Sequence, residues 1–169
     1  MKTGINQLKG KVQTVLGLIE PEAMGVTLPH EHLFIDMGIF FVRRDEEYAP
    51  LADQAITLEN LGWVRSHRMS HCRNLLPFTE EEAVHEVSLF KKAGGSTIVE
   101  QTPINVGRNS EKLASVSRTT GANILMGTGY YREIAVTAGP PDKKWPSSKL
   151  GSYPSEFIQD TQRMSWRQS

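Results

Sequence analysis

The sequence is short of the features that mark several binding and secretory classes. Its one cysteine, Cys72, has no second cysteine to pair with, which excludes a disulfide-stapled secreted scaffold. Charge of neither sign is in excess, since nineteen Lys and Arg balance nineteen Asp and Glu. Without a basic surplus the chain lacks the electrostatic footprint of a nucleic-acid or anionic-membrane binder, so neither is expected as a partner. No apolar run approaches the roughly 20 residues that span a bilayer. The opening MKTGINQLKG has no apolar segment of the secretory type, and a cytoplasmic location is the expectation. Phosphate-cradling loops are absent too. AGGS and GTG fall short of the Gly-x-Gly-x-x-Gly and Walker patterns, so their glycines read as helix stops and strand turns. The serines are scattered and GYYRE offers no nucleophile elbow, which removes the serine and cysteine hydrolase signatures.

What is present is a globular composition. With 169 residues, 38% hydrophobic and 22% charged, the chain can bury a core, and its length fits one domain or part of one. In residues 11–27 two apolar runs, VQTVLGLI and MGVTL, flank a polar EPEA connection, which predicts a hairpin leading into a strand over residues 25–33. Pro29 is tolerated there at a strand end or a bulge. Between Asp36 and Phe78 only LADQAITLENLGWVRSH offers weak helical spacing. A connection of about 40 residues reads as a functional loop or lid.

From Thr79 the pattern is clear. TEEEAVHEVSLFKKAGG has Thr79 as cap, Glu82 three residues on, acids in the first turn, lysines in the last and a Gly-Gly stop. Ala83, Val84, Val87, Phe90 and Ala93 share its apolar face. The helix runs into STIVEQT, a β-branched strand, then NSEKLASVSRTTG, a helix capped by Asn109 and stopped by Gly121, then the strand ANILMGTG. Strands alternating with helices predict an α/β fold of parallel strands joined by right-handed crossovers, with all strand C-termini on one side. Sites of α/β folds sit on that side, where His30, His32, Asp36, Glu100 and the GTGYY turn all fall.

On a strand, His30 and His32 point the same way from Cα atoms roughly 6.5–7 Å apart. Two imidazoles at that spacing can converge on one metal ion, although an isolated His-x-His can equally be a pair of hydrogen-bonded strand-end residues. Glu31 faces away. Glu100, at the end of its strand, is a candidate further ligand or a carboxylate that orders the adjoining loop, and Asp36 keeps the parity of the histidines. His67, His71 and Cys72 in SHRMSHC lack a second ligand pair and read as solvated loop residues. His85 reads as a residue of the helix surface or the helix–sheet boundary.

Three segments in order, GVTLPHEHL, FKKAGGSTIVEQTPINVGRN and NILMGTGYY, resemble the phosphotriesterase family of amidohydrolase-type metal-dependent hydrolases. The resemblance covers residues 11–131. It implies an incomplete (β/α)8 TIM barrel, the first three βα units preceded by a β-hairpin, with residues 1–150 as its N-terminal portion and residues 151–169 a tail without an assigned element. It further implies divalent metal, usually zinc, held in part by His30 and His32, with Tyr131 lining the substrate pocket. Small-molecule esters such as phosphotriesters or lactones are the implied substrates. The family's other ligands, a bridging lysine or glutamate, two histidines and an aspartate, have no matching positions here. A full barrel takes about 250 residues, so a truncated or frameshifted form, inactive alone, is expected.

Two alternatives stand beside this reading. Three parallel strands leave an open edge and half a barrel interior uncovered, as in a non-catalytic fragment that binds a partner or forms a homo-oligomer. A histidine-metal nuclease would need Asp-x-His-x-His, and Leu28 occupies the aspartate position.

Overall fold

The computed structural model describes residues 9–42 and 49–131. The tail over residues 151–169 lies outside the described residues.

The chain opens with an antiparallel hairpin, β1 (Val12–Thr14) and β2 (Gly17–Ile19), paired Val12 to Ile19 and Thr14 to Gly17. The hairpin is tighter than expected: its turn is Val15–Leu16, inside the apolar run rather than at EPEA. Thr14 explains the difference, because its hydroxyl accepts from the Leu16 N–H at 3.2 Å and donates to the Gly17 carbonyl at 2.9 Å. Those bonds close a two-residue loop, the commonest hairpin connection. EPEA instead falls on a single 3-10 turn, Pro21–Met24, with the proline at its start.

β3 (Thr27–Glu31), β4 (Thr97–Glu100) and β5 (Asn123–Met126) form one parallel sheet in the order β3-β4-β5. β3 is shorter than the expected residues 25–33, and its register slips. Leu28 pairs with Ile98 and Glu31 with Glu100, so Pro29 and His30 together oppose Val99. Proline has no ladder donor, and a bulge accommodates it while turning the strand. Beyond the last paired residues the ladder continues through Gln101 N–H on the Glu31 carbonyl and Gly127 N–H on the Glu100 carbonyl, both 2.8 Å.

The connections follow the expected pattern. α2 (Glu80–Lys92) starts with a reciprocal capping box: Thr79 Oγ1 accepts from Glu82 N–H, and Glu82 Oε2 accepts from Thr79 N–H at 2.8 Å. α3 (Ser110–Thr120) is capped by Asn109, whose Oδ1 accepts from Lys112 N–H at 2.9 Å, and stops at Gly121. The long connection between β3 and α2 carries one short helix, α1 (Leu61–Ser66), and several 3-10 turns.

The core lies between the sheet and the two long helices. Ala83 and Val87 of α2 meet Leu113 and Val116 of α3, with Ile98, Ile124 and the Leu33–Phe34 pair completing the cluster. Val84 and Phe90 pack at its margin, whereas Ala93 is exposed at the helix end. The hairpin is tied on through Val15 N–H to the Ile124 carbonyl at 2.8 Å. Among the described residues no helix is long and apolar enough to cross a membrane.

Candidate metal centre

Parallel pairing brings three strand ends together. His30 and His32 lie at the end of β3, Glu100 to Thr102 at the end of β4, and Gly127 to Tyr131 beyond β5. The histidine rings stand edge to face with centroids 5.2 Å apart, so they approach each other as the strand parity requires. His30 is exposed and His32 half-buried. Burial, and secondarily the charge of His30, hold the His32 pKa below the ordinary imidazole value, with Glu31 opposing. His32 is therefore held toward its neutral form, the form that ligates a metal.

His32 is anchored across the sheet. Its Nδ1 lies 3.0 Å from Thr102 Oγ1, and Thr102 Oγ1 in turn donates to Glu100 Oε1. Glu100 is 1% exposed, which makes its surroundings decisive for a carboxylate. Oε1 also accepts from Leu33 N–H and Oε2 from Thr102 N–H, each at 3.2 Å. Burial pushes the Glu100 pKa up; the bonds from Thr102 and Leu33 and the positive charge of Arg108 work against that rise. Through these bonds both oxygens tie together the segments after β3 and β4. Arg108 spans to β5, its Nη1 donating to the Gly127 carbonyl at 2.6 Å.

The turn carrying Arg108 is seated against the histidine loop. Asp36 N–H donates to the Val106 carbonyl at 2.7 Å. Gly107 has φ +102°, and a Cβ there would lie 2.6 Å from the Phe34 carbonyl oxygen and 2.9 Å from Asp36 N, so glycine alone allows this approach. The Asp36 carboxylate turns aside to cap its own loop, Oδ1 accepting from Gly38 N–H at 2.9 Å. Tyr131, exposed, meets the Phe40 ring edge-on at 5.7 Å, and its N–H donates to Asn105 Oδ1 at 3.1 Å. An aromatic edge thereby borders the same end of the sheet.

The other histidines are elsewhere. His71 is fully buried, not a solvated loop residue as its sequence context suggests: its Nδ1 accepts from Asn74 N–H and caps a 3-10 turn. His67 stacks on Trp63 at 4.8 Å. The two follow different turns, so their four-residue spacing does not form a helical face. His85 is exposed on α2. Among the described residues no three His, Cys, Asp or Glu side chains form a group able to hold a metal ion. His30 and His32 fit part of such a set, two converging imidazoles of which one is braced through its second nitrogen.

Two residues of this site, Thr102 and Arg108, carry no motif of their own in the sequence. Thr102 shares strand parity with Glu100, and that alternation is the signal that points to it.

A parallel α/β sheet with a histidine pair at the strand C-termini defines a class of site, and comparison with known proteins gives its family. Residues 10–143 match the phosphotriesterase family, and the chain belongs to it. It is 41% identical over 128 residues to N-acetyltaurine hydrolase of Xenopus tropicalis, covering 75% of this chain and 37% of that protein. It is 40% identical over 139 residues to a phosphotriesterase-related protein of Nematostella vectensis, covering 80% and 39%. Among solved structures, a resiniferatoxin-binding protein from Rhodobacter sphaeroides superposes with a TM-score of 0.75 at 30% identity, over 89% of this chain and 40% of that one. The chain spans about two fifths of the length of these relatives.

Proposed function

We propose that the chain supplies the first-strand half of a divalent-metal centre, zinc by the chemistry of its imidazole donors, in a hydrolase acting on a small-molecule ester or amide. The observation that carries this reading is the approach of His30 and His32 at 5.2 Å with His32 braced on Thr102. A metal at that position supplies Lewis acidity and a nucleophile near neutral pH. His30 and His32 hold it, Thr102 and Glu100 fix one ligand, and Tyr131 with Phe40 borders the substrate side. The bond cleaved is a phosphotriester, a lactone or related ester, or an N-acyl amide of the kind named in the N-acetyltaurine hydrolases. The chain forms the N-terminal part of a (β/α)8 barrel. Catalytic zinc takes about three protein ligands plus water, so turnover requires ligands beyond the described residues, whereas metal capture requires only the pair. The setting is cytoplasmic, a compartment that keeps the Cys72 thiol reduced.

Cobalt(II) spectroscopy tests the reading. Visible d–d bands are expected on titrating the chain with Co2+ and are lost in His30→Ala/His32→Ala. Bands of equal intensity in both chains contradict it.

One observation favours a second reading, a self-associating binding protein. β3 and β5 are the outer strands among the described residues, and outer strands recruit further strands. Size-exclusion chromatography over a concentration series separates the two. A concentration-dependent oligomer supports self-association, and a monomer at every concentration opposes it.

A further inference from the structure

The hydroxyl of Thr102 has one proton and stands between two acceptor-capable groups, Glu100 Oε1 and His32 Nδ1. Glu100 receives three donors, the Leu33 N–H, the Thr102 N–H and the Thr102 hydroxyl. That convergence of three donors suits a carboxylate acceptor rather than a donor. The hydroxyl proton is then committed to Glu100, and what remains on Thr102 Oγ1 is a lone pair.

We propose that Glu100 acts through Thr102 as a positioning residue for His32. By taking the hydroxyl proton it obliges Thr102 Oγ1 to accept from His32 Nδ1–H, which leaves the Nε2 lone pair as the ligating atom. The inference deepens the reading of His32 as a metal ligand and rests on it. In metal sites the partner on the far ring nitrogen fixes tautomer and orientation, and its removal weakens metal binding by about 10–100-fold. Thr102 is fully buried, so water has no ready access to replace the hydroxyl.

The test reads the tautomer without metal and the affinity with it. Long-range 1H–15N spectra of the metal-free chain labelled at histidine are expected to show His32 as the Nδ1–H tautomer. Thr102→Val keeps the branched shape without the hydroxyl and should shift His32 toward Nε2–H, while Thr102→Ser retains the parent tautomer. Zinc affinity should fall about 10–100-fold in Thr102→Val and recover in Thr102→Ser. Glu100→Leu, which removes both acceptor oxygens, should move the tautomer in the same direction as Thr102→Val. It decides the matter if Thr102→Val does not fold. A His32 tautomer unchanged in these variants overturns the proposal, as does a tautomer that moves while zinc affinity stays constant. Zinc binding that survives His30→Ala/His32→Ala, with the His32 tautomer still responding to Thr102→Val, defeats the metal reading and leaves the hydrogen-bonded relay standing.

Discussion

His32 and Thr102 are 70 positions apart in the chain and 3.0 Å apart in space, Nδ1 to Oγ1. Parallel pairing of β3 with β4 creates that contact: the Glu31–Glu100 register sets the segments after the two strands side by side. A site residue on one strand is therefore held by residues on the next, and changes in the β4 segment should be felt at His32.

The cap of α2 gives a measurable stability effect. Thr79→Ala removes the hydroxyl that accepts from Glu82 N–H and is expected to destabilise the fold by about 1 kcal/mol in denaturant titration. Glu82 adds a pH dependence. Its bonds from the Thr79 backbone and side chain hold its pKa below the ordinary 4.5, so its contribution is present above that value and is lost as pH falls through the lowered one. Thr79→Ala should reduce that part of the acid-unfolding curve without removing it, because the bond from the Thr79 N–H remains.

Glu100 carries the opposite sign. Burial raises its folded pKa, so the stability linked to this group is full below the ordinary glutamate value and declines as pH rises through the raised one. Stability measured across that window should decline less in Glu100→Gln. An equal decline in both chains assigns the effect to another group.

Gly107→Ala tests the seating of the Arg108 turn on the histidine loop. The added Cβ meets backbone at 2.6 Å and sits at φ +102°, so a loss of about 1–3 kcal/mol is expected in thermal or denaturant unfolding. Leu113→Ala, at a fully buried core position facing the sheet cluster, should cost about 2–5 kcal/mol by the same measurement.

The two long helices and the strands they join are legible in the sequence because local signals agree. Thr79 with Glu82, Asn109 with Gly121, and the β-branched TIVE each dictate their element without help from the rest of the chain. The hairpin turn is misplaced by one apolar run, since the side-chain bonds of Thr14 that close it leave no trace in hydrophobic patterning. His71 is misread for a related reason: its burial comes from the packing of a long irregular connection, not from any period. His30 and His32 are evident from spacing, yet the brace behind His32 depends on the bulge at Pro29 and on a register that only pairing reveals.

The most direct measurement is equilibrium dialysis against zinc, with metal content read by mass spectrometry, on the parent chain and on His30→Ala/His32→Ala. Saturable zinc binding by the parent and its loss in the double variant, with the same circular dichroism spectrum, is the expected result. Equal zinc content in both chains, or no saturable binding by the parent, contradicts the assignment of this pair as metal ligands.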